Sequence, residues 1–135
     1  MLTLFNMKKD FNNWNNKKIE IDHSSNRVFY HEREVWWCST GLNVGFEQDG
    51  KGENFSRPVL IIKGFNKNVF LSVPITTKAK DGKYYHRVDL GDNTPRKVIL
   101  SQIRLLDSKR LQEKITMIPE EQFFEIKKAI IQLLE

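Results

Sequence analysis

A single cysteine, Cys38, stands in a chain of 135 residues, so no intrachain disulfide and no cysteine-based metal cluster can form, which suits a reducing compartment. Long apolar runs are also missing. None approaches the ~18 residues of a membrane span, and the opening MLTLFNMKKDFNNW has no continuous signal-peptide core. The expectation is a cytoplasmic protein with no membrane partner. Histidine is scarce, and none of the three pairs with Cys or Asp at ligand spacing, so neither a metal site nor a cofactor is expected. Internal repeats are absent, as are low-complexity tracts other than an asparagine-rich patch at Asn12, Asn13, Asn15 and Asn16. Neither sign of charge is lacking: 22 Lys and Arg against 17 Asp and Glu leave +5, which permits a polyanionic partner without requiring one. At this length the chain is one domain with room for a real core.

What is present is organised around residues 57–78, RPVLIIKGFNKNVFLSVPITTK. Two β-branched apolar runs, Pro58 to Ile62 and Val69 to Ile75, flank a Gly64-Phe65-Asn66-Lys67-Asn68 turn, which predicts a β-hairpin. Pro58 is expected at the first position of its strand, with Arg57 extended before it at the strand mouth. Pro74 is expected to interrupt the second strand, so that the Thr76 and Thr77 hydroxyls lie where regular pairing stops. A guanidinium and two hydroxyls then cap neighbouring strands in fixed geometry.

Upstream, Leu4, Met7, Phe11 and Trp14 fall at helical spacing and predict a short amphipathic helix over 4–18 whose apolar stripe packs on the body of the domain. Residues 19–26 read as a polar connector and Val28–Tyr30 as a short extended segment. Glu34 to Thr40, EVWWCST, predicts a buried strand in which Trp36 and Trp37 point to opposite faces, leaving one of them for a second subunit. Gly41 to Ser56 holds four of the seven glycines and is expected to be a loop overhanging the strand mouth. Downstream, Tyr84 to Leu90 alternates as a strand, Lys97 to Leu100 forms a short strand, and Ser101 to Ile103 a single helical turn. A closing helix starts at Pro119 and sets Phe123, Ile126, Ile130, Leu133 and Leu134 on one face.

The ordered succession EVWWCS, GFEQDG, RPVLIIKG, VFLSVPITT and VILSQIRLLDSKRL, followed by an amphipathic helix, resembles the MazF/PemK family of toxin endoribonucleases over about residues 33–134. The resemblance implies a mainly β (α+β) chain: an SH3-like β-barrel of the CcdB/Kid/MazF type with a C-terminal amphipathic helix. Residues 1–27 are then an N-terminal helical extension and 28–135 the toxin domain. It also implies a homodimer that cuts single-stranded RNA at short motifs without a metal and is inhibited by a cognate antitoxin protein. Carried over residue by residue, the catalytic arginine of the family's Arg-Pro motif falls on Arg57 and its catalytic Thr or Ser on Thr76. The loop's Glu-Gln pair falls on Glu47 and Gln48, and the late Gln-Ile-Arg on Gln102, Ile103 and Arg104. Where members commonly carry Gly-Ser-Glu-Gln, this chain has Gly45-Phe46-Glu47-Gln48, so that one polar RNA contact is either absent or replaced by stacking. The interval from Gln48 to Arg57 is longer than usual. Phe46, Thr77 and Lys78 join Glu47, Gln48 and Gln102 as expected substrate contacts.

Metal-free RNA cleavage uses the substrate's own 2′-hydroxyl as nucleophile and needs a proton acceptor, a proton donor and stabilisation of charge on the phosphorane oxygens. Arg57 suits the last role, because a guanidinium fork matches phosphate; its high pKa makes it a poor base. Thr76 can donate a hydrogen bond to the phosphate, and Glu47 is the proton acceptor by chemistry alone. Phe46, Phe55, Tyr84 and Tyr85 are candidate stacking surfaces, with Lys78, Lys80 and Lys83 as phosphate contacts. Against these stand plainer readings: an edge arginine, strand-ending threonines, a packed His86, a buried inert Cys38, and Arg104, Asp107 and Arg110 as a structural ion-pair cluster. The competing function is a non-enzymatic CcdB-like inhibitor of a protein target such as DNA gyrase; an inactive relative kept as a binding module is a third. Retention of both Arg57 and Thr76 favours the nuclease.

Overall fold

The structure, a computed structural model, describes residues 9–78 and 80–135. A helix, α1 (Phe11–His23), precedes seven strands: β1 (Glu34–Ser39), β2 (Ser56–Gly64), β3 (Val69–Thr76), β4 (Tyr85–Val88), β5 (Arg96–Ile99), β6 (Arg104–Asp107) and β7 (Leu111–Met117). Short 3₁₀ turns at Leu100–Gln102 and Ser108–Arg110 flank β6, and α2 (Glu120–Leu133) closes the chain. All strands pair antiparallel in one sheet of order β4-β5-β3-β2-β1-β7, with β6 also on β3. None of the described helices is long and apolar enough to cross a membrane.

The expected hairpin is the centre of this sheet, and its uninterrupted apolar run has a physical cause. Successive side chains of a strand point to opposite faces, and β2 is covered on both. Leu60 and Ile62 enter one core with Val35, Val73, Ile75, Val98 and the α2 residues Phe123 and Ile126. Val59 and Ile61 enter a second with Trp36, Cys38, Phe70 and Leu106. Trp36 is buried and Trp37 is 42% exposed, so the two do face opposite ways.

Several local expectations are corrected. Pro58 is the third residue of β2, not the first. It is accommodated because the β2–β3 register begins one residue later, at Val59↔Pro74, so no ladder bond is lost on that side. Pro74 does not interrupt β3, which continues to Thr76 by changing partners: residues 69–72 pair with β6, whereas Ile75 and Thr76 pair with Val98 and Lys97 of β5. Val28–Tyr30 forms no strand. The N-terminal helix runs past Lys18 to His23, since nothing between Ile19 and His23 breaks it, and Asp10 caps its start by accepting the Asn13 amide at 3.1 Å. Leu4 and Met7 lie outside the described residues; of the remaining stripe Trp14 is buried and Phe11 half exposed. Leu134 lies one residue past the end of α2 and is exposed rather than part of the apolar face. β7 is an edge strand without a sequence signal: its Gln112, Glu113, Lys114 and Ile115 are all exposed, so no one-sided alternation marks it.

Glu34 shows how the sheet spends a buried charge. Its carboxylate accepts the His31 amide at 2.6 Å and the Trp36 indole N–H at 3.1 Å, and pairs with Lys114 at 3.1 Å. Burial pushes its pKa up, but these donors together outweigh burial and hold it below the usual glutamate value. The stabilisation is therefore present above that value and is lost as pH falls through the depressed one. Glu34→Gln is expected to cost about 2 kcal/mol near neutrality and to flatten stability against pH below ~4.3, read from denaturant midpoints. A variant with the wild-type acid limb would remove Glu34 from this role.

Candidate active site

Arg57 sits where β2 and β3 separate. It is paired with Cys38 of β1 on one side and lies beyond the β2–β3 register on the other. Across that gap its Nη1 donates to the Ile75 carbonyl at 3.1 Å, and its Nε donates to the Asp49 carbonyl of the 41–55 loop at 2.8 Å. Two backbone carbonyls thus fix the guanidinium, which keeps further N–H groups for an anion. Burial pushes the Arg57 pKa down, with Asp49 opposing the shift. A partly desolvated cation of this kind acts on a phosphate more strongly than a surface arginine.

Two depressions meet at Arg57. On one side a cavity of about 290 Å³ lies between the loop and the 3₁₀ turn; Glu47, Gln48, Gln102 and Arg104 line it with Arg57. On the other a groove of about 470 Å³ is lined by Thr76, Thr77 and Lys78, again with Arg57. The expected residues are therefore brought together, apart from Phe46, which is fully exposed and lines neither depression. Thr76 is buried, and its Oγ1 accepts the Lys78 amide at 3.1 Å. Glu47 is exposed, and its carboxylate also staples the loop by accepting the Val44 amide at 2.8 Å.

The structure adds Thr40, Asn43 and Ser72 to the cavity wall. Thr40 carries the more informative sign: its Oγ1 is buried and has no hydrogen-bond partner among the described residues. A buried hydroxyl left unpaired costs about 1–3 kcal/mol. Nothing local marks Thr40, because the burial of its hydroxyl depends on the folded loop. Arg96 is likewise added to the groove.

Other expectations change. Phe55 is not a stacking surface for a ligand, because its ring packs on Trp14 with centroids 5.5 Å apart. Tyr85 lines a neighbouring depression with Thr77, Lys78 and Arg87, and Tyr84 does not. The Arg104–Asp107–Arg110 cluster does not form. Asp107 pairs with Arg27 at 2.6 Å, while Arg110 donates to the Ser39 carbonyl at 3.0 Å and lies over the Trp14 ring. Burial, then the nearby Arg104 charge, push the Arg110 pKa down, with Cys38 and Asp107 opposing. Cys38 is fully buried, and burial pushes its thiol up to about 12, so it is no nucleophile.

With this geometry in hand, comparison with known proteins identifies the family. The model for the PemK-like, MazF-like toxin of type II toxin-antitoxin systems matches residues 31–134, and the chain belongs to that family. Solved structures agree in fold. A MazF from Deinococcus radiodurans superposes with TM-score 0.62 at 20% identity, over 79% of this chain and 97% of that one. An endoribonuclease from a mycobacterial species, solved with its cognate antitoxin, gives 0.60 at 16%, over 78% and 95%. The Mycobacterium tuberculosis toxin MazF-mt6 gives 0.59 at 19%, over 76% and 96%. A comparison with curated protein sequences found no match.

Proposed function

We propose that this chain is a metal-independent endoribonuclease that cuts single-stranded RNA by attack of the substrate's own 2′-hydroxyl, as the toxin of a cytoplasmic toxin-antitoxin pair. The observation that carries the reading is the half-buried Arg57, fixed by two carbonyls at the junction of a polar cavity and a groove that holds Thr76. Arg57 stabilises charge on the phosphorane oxygens. The Thr76 hydroxyl donates to the phosphate, while its lone pair keeps the Lys78 amide in place. Glu47, Gln48 and Gln102 contact a base in the cavity, and Thr77 and Lys78 contact the backbone in the groove. Phe46, fully exposed on the loop, stacks on a neighbouring base. The curled sheet is read as the SH3-like barrel of the family. A second copy meets the chain at the wall of the groove where Trp37 and Ile115 are exposed, leaving the Thr76–Lys78 wall to RNA, and an antitoxin segment occupies the RNA surface.

The test is incubation of the full chain with long single-stranded RNAs in EDTA, followed by mapping of product ends. Discrete cuts at a short motif, with 2′,3′-cyclic phosphate ends, are expected. A folded protein that leaves several RNAs intact would overturn the nuclease and move the assignment to a protein-binding inhibitor.

A further inference from the structure

Residues 9–27 lie before the segment that the family model matches, yet Lys9 and Trp14 among them contact the active-site loop. Lys9 reaches across to it three ways. Its Nζ pairs with the Asp49 carboxylate at 2.9 Å, donates to the Gly45 carbonyl at 3.2 Å and donates to the Asn43 carbonyl. Asp49 in turn accepts the Asn43 amide at 2.6 Å through its carboxylate and the Arg57 Nε–H at 2.8 Å through its carbonyl. One residue therefore connects the Lys9 ammonium to the Arg57 guanidinium. Five residues further along, Trp14 is buried against the loop's two ends. It packs on Phe55, and a Cβ at Gly41 would fall 2.0 Å from its ring. Those ends are themselves tied by the Gly41 amide donating to the Phe55 carbonyl at 3.0 Å. The rest of the segment is anchored on the other side of the fold: Lys109 donates to the Asp22 carbonyl at 2.9 Å, and Arg27 pairs with Asp107.

We infer that the N-terminal extension is an internal brace for the active site, in which Lys9 is a positioning residue that sets the loop, and through Asp49 the orientation of Arg57. The physical need is plain. A glycine-rich loop of this length is expensive to order by itself, and every degree of freedom left in it is freedom left in the arginine. Lys9 and Asp49 are each only about one-quarter exposed, so their pairing is less screened than that of a surface pair. The inference rests on the nuclease reading only for its consequence, not for the brace itself.

The test compares full-length Lys9→Met and Lys9→Arg with the wild type. The direct readout is exchange of the Arg57 Nε–H with water, followed by NMR, which needs no substrate. Lys9→Met is expected to speed it about tenfold, together with the Asn43 amide, while amides of β2 and β3 are unchanged and Lys9→Arg stays near wild type. The second readout is RNA cleavage: Lys9→Met is expected to lower kcat about tenfold, with Lys9→Arg restoring it to within about twofold. Wild-type Nε–H exchange in Lys9→Met overturns the brace. Faster exchange with unchanged kcat in an active protein overturns positioning. A wild-type chain that cuts no RNA refutes the nuclease, and the exchange readout still decides the brace.

Discussion

Arg57→Ala is expected to lower kcat/KM for RNA cleavage by about 10³-fold, the loss found when a preorganised donor to a developing oxyanion is removed. The chain spends its own carbonyls at Asp49 and Ile75 to aim this guanidinium, and partial burial strengthens its field at the strand junction. Arg57→Lys keeps the charge but loses the fork and the Nε contact, so it is expected to recover about tenfold at most. Single-turnover kinetics on one defined RNA separate these effects from slow product release. A fall of less than about tenfold in Arg57→Ala would mean that the transition-state charge is met elsewhere, with Arg104 on the cavity wall as one candidate.

The largest expected loss of stability comes from a smaller change, Gly41→Ala. Gly41 has φ +78°, which already costs a residue with a Cβ about 1–2 kcal/mol, and the added methyl would meet the Trp14 ring at 2.0 Å. The ring cannot yield by a small adjustment at its tip, because the clash reaches from the six-membered ring's Cζ2 to the fusion carbon Cε2. It must leave its packing on Phe55 and beneath Arg110. The combined cost is about 3–5 kcal/mol, or a Tm lower by roughly 10–15 °C. A Tm within about 2 °C of wild type would show that Trp14 is not seated against the loop, and would weaken the brace with it.

The central hairpin was legible because β2 and β3 are apolar, β-branched and joined by a glycine-asparagine turn, signals that do not depend on the rest of the fold. The Trp36/Trp37 split followed from period two. Arg57 and Thr76 came from the resemblance, since an arginine before a strand proline and a strand-ending threonine mean little alone. What the sequence left obscure is what tertiary structure creates. β7 is an edge strand exposed on both faces, so its residues carry no alternation to read. Pro74 looked like a strand end because a change of pairing partner, from β6 to β5, has no local signature. Asp107 was assigned to neighbours close in sequence, whereas its partner Arg27 is 80 residues away. Thr40 gained significance only when the folded loop left its hydroxyl buried and unpaired.

The central claim is that the attacking group belongs to the substrate, with Arg57 and Thr76 arranged around the phosphate it attacks. The most direct measurement is cleavage in EDTA of an oligonucleotide carrying one 2′-deoxy sugar immediately 5′ of a mapped cut. This oligonucleotide is expected to bind with an affinity within about threefold of the all-ribose strand and to stay uncut at that position, while an all-ribose control gives a 2′,3′-cyclic phosphate. Cleavage of the deoxy-substituted bond at a comparable rate would contradict that claim, because the nucleophile would then have to be water or a group on the protein.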